Sequence, residues 1–187
     1  MPSEVRHPLS AHAKRLRDLF PNASASWTRD DNHHLTLKFI GEVEEARATR
    51  LSAATERAAS SVEPFTVIVD GPGVFPKRVL WIGIDDPSGR LGKLQQRLEE
   101  ECAHEGFPKE ERAFHPHLTL ARLRKPQNSR ELEEQHKQAR FVPVEVKVDE
   151  LVVIKSELSS SGSKYTVLSR HKLAESIRED RPEEPQG

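Results

Sequence analysis

Apolar residues recur at spacings of three and four through the first turns of the chain. Val5, Leu9, Ala13, Leu16 and Phe20 share one face, which predicts a helix over Glu4–Phe20. Pro21-Asn22 ends it. A short extended piece around Trp27 leads to His34-Leu35-Thr36-Leu37-Lys38-Phe39-Ile40, which alternates as a strand does and is closed by Gly41. Ala46, Leu51, Ala54 and Ala58 give a second helix over Glu44–Ala59. Phe65–Val69 is a β-rich run, ended by Asp70-Gly71-Pro72-Gly73, and Val79–Ile84 is the next strand. Ser88 has the side chain of an N-cap for a third helix reaching His104, with Leu91, Leu94 and Leu98 on one face. A strand follows over Phe114–Leu123, then a charged helix over Ser129–Lys137. Val142–Ser156 reads as two strands or one bent one. Ser159–Ser163 is a loop and Lys164–Leu173 the last strand. From Ala174 to Gly187 the chain is charged and contains Pro182 and Pro185, the composition of a solvated tail.

The order helix, His-Leu-Thr-Leu strand, helix, strand occurs twice. The two motif histidines, His34 and His117, are 83 positions apart (117 minus 34). Such a repeat predicts an α+β protein with two pseudo-symmetric lobes over residues 1–173. Each lobe is an antiparallel sheet with helices on its outer face, and the groove between the lobes is the expected active site. The repeat is incomplete at one point. Val79–Ile84 precedes the third helix, yet only Met1, Pro2 and Ser3 precede the first. An N-terminal strand is therefore expected to be missing, through truncation or a start assigned too late. The sheet around one motif should then be short of a strand.

Composition narrows the class. The 187 residues carry 29 Lys and Arg against 30 Asp and Glu, a net charge of −1. Proteins that coat long nucleic acid carry a basic excess, so RNA here would be met at a terminus. Cys102 is the only cysteine, which rules out an internal disulfide and a cysteine-based zinc site. The N-terminus lacks a signal-peptide core, and Leu151–Ile154 is far too short to span a bilayer. The chain reads as a soluble, cytoplasmic monomer.

Strand geometry assigns the chemistry. Alternate side chains share a face, so His34 goes with Thr36 and His117 with Thr119, while the leucines are buried behind them. If the sheets face each other, two imidazoles and two hydroxyls converge. A neutral imidazole can take a proton from water attacking phosphorus, and a protonated one can give a proton to the departing sugar oxygen. Threonine hydroxyls can donate to the non-bridging oxygens. A strained cyclic phosphodiester suits this pair, with no metal or other cofactor called for. A structural repeat alone would preserve the leucines, not the same polar pair twice.

In these stretches the chain resembles the two-histidine (2H) phosphoesterases, specifically the RNA 2′,3′-cyclic phosphodiesterases. The resemblance is carried by Asn32–Gly41, Gly73-Val74-Phe75-Pro76 before Val79-Leu80-Trp81, Phe114–Arg122, Ser156-Glu157-Leu158 and Tyr165–Leu168. It implies hydrolysis of a terminal 2′,3′-cyclic phosphate to a 2′-phosphate, with RNA 3′ ends or cyclic nucleotides as partners. It also implies that His34 is the acid and His117 the base, an assignment the residues themselves leave open.

Other residues have two readings each. Lys38 shares the parity of His34 and can reach a phosphate or sit solvated at the rim. Arg122 has the wrong parity for the groove in an ideal strand, although relatives tend to carry an arginine near the phosphate there. His33 should point away from His34, and His115 is read as packing or orientation. Phe75, Trp81 and Phe114 can stack on a base but fit core packing. Cys102 fits as a small core residue, and His7, His12, His104, His136 and His171 form no constellation. Competing functions remain open: a metal hydrolase using His34, His115 and His117 with Asp30 or Asp31, an RNA-end binding module without turnover, and 2′-5′ end joining in the same site.

Overall fold

A computed structural model describes residues 1–76, 78–124, 129–159 and 162–175. The elements follow the apolar pattern closely. Helix α1 spans Ser3–Leu19, strand β1 Ala25–Trp27, and a short 3-10 turn Asp30–Asn32. Then come α2 (Glu45–Ala59), β2 (Phe65–Phe75), β3 (Val79–Asp85), α3 (Arg90–His104) and β4 (His117–Leu123). Helix α4 (Arg130–Gln138), β5 (Val144–Val148), β6 (Glu150–Ser159) and β7 (Gly162–Lys172) complete the described chain. Two strands thus occupy 142–156, split at Asp149. Of the expected tail, residues 176–187 lie outside the described residues, as do Ser160 and Ser161 of the expected loop.

Two antiparallel sheets form the two lobes. The larger has strand order β1-β4-β3-β2-β5, and the smaller is the β6–β7 hairpin. Helices α1 and α4 pack on the larger sheet, while α2 lies on the hairpin with α3 against it. The α1 face that the spacing predicted is the buried one: Val5, Leu9, Ala13 and Leu16 are all in the core. Behind the second motif, Leu118 and Leu120 are fully buried, each contributing on the order of 2 kcal/mol through removal from water. No helix among the described residues is long and apolar enough to cross a membrane.

Three local expectations are corrected. The first motif is not a regular strand: residues 34–40 make only one bridge, Leu35 to Leu118. A strand needs a continuous neighbour for its backbone groups. Here the segment turns towards α3 instead, drawn by an ion pair from Lys38 to Glu99. Asp70-Gly71 does not end β2. Gly71, at φ 77°, forms a bulge in the register between Asp70 and Pro72, and the strand continues to Phe75. The α3 start is one step later than Ser88. Gly89 occupies the cap position with φ 67°, and the Asp86 carboxylate accepts the Leu91 amide at 2.8 Å. Ser88 Oγ donates to Asp86 and accepts the Arg90 amide, so it supports the cap without being it.

The two motifs therefore stand in unequal settings. The second is an inner strand of a five-stranded sheet, and the first leans on it through one bridge.

Candidate active site

The site is built around the Leu35–Leu118 bridge. These are the equivalent leucines of the two motifs, and the pairing is antiparallel. One residue to either side of such a pair, His34 stands beside Thr119 and Thr36 beside His117. A local twofold axis thus passes through the bridge. Each histidine is set beside the threonine of the other copy, which brings together the four residues that the motif singled out.

Both imidazoles are oriented in the same way. His34 Nδ1–H donates to the Asn32 carbonyl at 2.7 Å, and His117 Nδ1–H donates to the His115 carbonyl at 2.6 Å. A carbonyl only accepts, so Nδ1 carries the proton in each neutral ring and Nε2 keeps its lone pair for chemistry. The acceptor is the carbonyl two residues back in both cases, because extended backbone brings it to the edge of the ring. His115 thus contributes its backbone, and Pro116, which has no N–H to donate, still accepts the Ile84 amide of β3 through its carbonyl at 3.1 Å.

The surroundings break this symmetry. Phe75 meets His117 edge-on, with ring centroids 4.8 Å apart, and Trp81 stands 6.3 Å away. His34 instead meets Tyr165 of β7 edge-on at 5.0 Å. Burial lowers the pKa of His117, and the charges of Arg122, His115 and His34 push the same way, opposed by the bond to the His115 carbonyl. A lowered pKa keeps His117 neutral near pH 7, the state a base requires.

Arg122 is on the groove side after all. In β4 the register shifts between the Leu80–Ala121 and Trp81–Thr119 pairs, which leaves Leu120 as an extra residue. Past this bulge the alternation is inverted. Leu118, Leu120, Ala121 and Leu123 are buried, whereas His117, Thr119 and Arg122 are not. The exposed guanidinium is close enough for its charge to be felt at His117. Lys38 is placed elsewhere. Its side chain is almost wholly buried, its ammonium donating to Glu99 and to the Pro108 carbonyl at 2.7 Å. The parity argument for Lys38 fails because 34–40 is not a regular strand.

His33 is buried, and its ring meets the Thr119 backbone without an ideally aligned hydrogen bond. Burial lowers its pKa, against the pull of Asp30. Trp81 is not plain core packing: its indole lies across Gly73 of β2, where an added Cβ would collide with the ring. Gly73 and Gly83 flank that indole and leave it room beside His117. Gly73, Trp81 and Tyr165 all lie in stretches that carry the family resemblance, but their contacts follow from pairing: Gly73 faces Trp81 across β2 and β3, and Tyr165 meets His34 from a strand remote in the chain. His34, His115, His117 and the nearby aspartates are not gathered into a metal-ligand set, and no group of three such side chains is, among the described residues. Asp31 is ion-paired with Arg6 at 3.2 Å.

Comparison with known proteins places this geometry. The family described as the 2′-5′ RNA ligase superfamily matches residues 5–159. An RNA 2′,3′-cyclic phosphodiesterase of Methanothermobacter thermautotrophicus is 33% identical over 88% of this chain and 92% of its own length. A protein of the same name from Thermotoga maritima is 36% identical over 77% of each. Among solved structures, Escherichia coli LigT in apo form superposes with TM-score 0.71 at 28% identity, over 94% of each chain. LigT complexed with 3′-AMP gives TM-score 0.71 at 27% identity, again over 94% of each chain. With two His-Xaa-Thr-Xaa segments meeting at one bridge, this chain belongs to the 2′-5′ RNA ligase superfamily of two-histidine phosphoesterases.

Proposed function

We propose that the protein hydrolyses the 2′,3′-cyclic phosphate at an RNA 3′ end to a 2′-phosphate, without a metal. The observation that carries this reading is the matched pair of Nδ1-to-carbonyl bonds, which leaves two Nε2 atoms in equivalent roles across one bridge. The names of the relatives supply the substrate class, and the 3′-AMP complex of LigT fits nucleotide recognition.

In the forward step, Nε2 of neutral His117 takes a proton from water as the water oxygen bonds to phosphorus. The bond from phosphorus to O3′ breaks, and Nε2–H of protonated His34 gives its proton to O3′. Thr36 and Thr119 donate to the non-bridging oxygens, where charge accumulates, and Arg122 adds positive charge at the same face. Lys38 has no part in this scheme. All of these residues belong to one chain, and we infer that the monomer is the working unit.

The test is product analysis with a 2′,3′-cyclic-ended oligonucleotide, with and without EDTA. The expected product is a 2′-phosphate end, formed at the same rate under both conditions. Loss of activity with EDTA overturns metal independence. An intact ring indicates a binding module, and a longer oligonucleotide indicates end joining.

A further inference from the structure

Two histidines outside the groove form a buried pair between α1, α4 and the larger sheet. His12 Nε2 lies 3.0 Å from His136 Nδ1. His136 Nε2 in turn lies 3.1 Å from the carbonyl oxygens of both Gly73 and Trp81. His136 is wholly buried and His12 nearly so. The direction of the relay follows from the acceptors. Carbonyl oxygens cannot donate, so His136 Nε2 carries the proton and shares it between them. Nδ1 of the neutral ring is then an acceptor, and His12 Nε2–H donates to it.

The two carbonyls are not an arbitrary pair. Gly73 and Trp81 face each other across β2 and β3, with a bulge to either side. The Trp81 indole lies over Gly73, 5.2 Å from the Phe75 ring and 6.3 Å from His117. One cross-strand pair is therefore held by His136 through its backbone and carries the aromatic wall of His117 on its side chain.

We propose that His136, kept in one tautomer by His12, is a positioning residue for this site: by tying the Gly73 and Trp81 carbonyls together it fixes the indole that walls His117. It touches no substrate and acts through Trp81. The proposal rests on the reading of His117 as a reacting group. Cores usually satisfy a buried histidine with whatever acceptor is near. Here one N–H spans both strands at the residues that set the indole, and a second histidine, packed edge-on against Phe141, keeps that N–H in place.

The experiment uses a Trp27→Phe background, in which Trp81 is the one remaining indole. His136→Leu removes the donor, and His136→Gln keeps an N–H that can reach the carbonyls. Acrylamide quenching of Trp81 is measured alongside kcat and KM for 2′,3′-cyclic AMP. His136→Leu should increase quenching and raise KM by about tenfold, with a smaller change in kcat, and His136→Gln should restore both to within about twofold. A folded His136→Leu protein with unchanged quenching and KM overturns the proposal. Should that variant not fold, ¹⁵N ring resonances of the unsubstituted protein decide. A neutral Nε2–H His136 at pH 7 supports the relay, and an Nδ1–H or charged ring refutes it. Quenching needs no turnover, so a protein that opens no cyclic phosphate would sink the activity reading while leaving this test intact.

Discussion

The buried histidine pair predicts how the fold responds to mild acid. Burial drives the His12 pKa down to about 4, with the charges of His136 and Arg15 acting in the same direction. The His136 pKa is lowered as well, again chiefly by burial, against the bonds to the Trp81 and Gly73 carbonyls. In the unfolded chain both return to the ordinary histidine value near 6.5. Both folded values lie below the unfolded one, so the unfolded state takes up protons first as pH falls. Full stability is present above about pH 6.5 and is lost on the way down to about pH 4. For His12 alone the linkage relation gives a loss of about 2 kcal/mol by pH 5 and about 3 kcal/mol by pH 4. Against a total stability of roughly 5–15 kcal/mol, that is a sizeable fraction. Urea denaturation followed by circular dichroism at pH 7, 6 and 5 measures it. Staying at or above pH 5 keeps most carboxylates outside their own titration range. The urea midpoint should fall steadily, and less steeply in His12→Leu. Equal midpoints at pH 7 and pH 5 in the unsubstituted protein would show that the pair is not held neutral in the core.

Three further outcomes test the groove itself. His34→Ala and His117→Ala should each lower kcat by roughly 10²-fold or more, and the double variant should lose less than the product of the two; near-normal turnover in either single variant removes the paired mechanism. Thr36→Val and Thr119→Val should each cost about tenfold in kcat while leaving the fold intact, and unchanged kinetics would reduce them to strand formers. The Arg122 charge depresses the His117 pKa, so Arg122→Gln should move the acid limb of the kcat/KM profile to higher pH and weaken its salt dependence; a limb that stays or moves lower contradicts the role of His117 as base.

Much of this was legible in sequence because hydrophobic period reports directly on burial. The α1 stripe, the leucines behind the second motif and the repeat needed no tertiary information. What escaped depends on partners distant in the chain. The parity of Arg122 is set by the bulge at Leu120, which exists only because β3 and β4 pair with one residue to spare. The first motif alternates as a strand should, but alternation cannot supply the neighbour that a strand requires, and Lys38 found Glu99 instead. Tyr165 reaches His34 only because the β6–β7 hairpin lies alongside. His12 and His136 are 124 positions apart on two different helices, and no spacing rule connects them.

The twofold relation at the Leu35–Leu118 bridge has a consequence for direction. An acid and a base exchange protonation states in each turnover, and the reverse reaction begins from the state in which the forward one ends. The surroundings of the two rings differ, since burial lowers the pKa of His117, but the bond that orients each ring does not. Here each ring makes the same Nδ1–H bond to the carbonyl two residues back, and that bond serves both the neutral and the charged ring. The orientation of both rings is therefore indifferent to which one currently holds the extra proton. On the proposed reading, the same site serves ring opening by water and the matching return, in which the 3′-hydroxyl attacks the 2′-phosphate and water leaves. The net direction is set by the ring strain released and by the activity of water, and not by the protein.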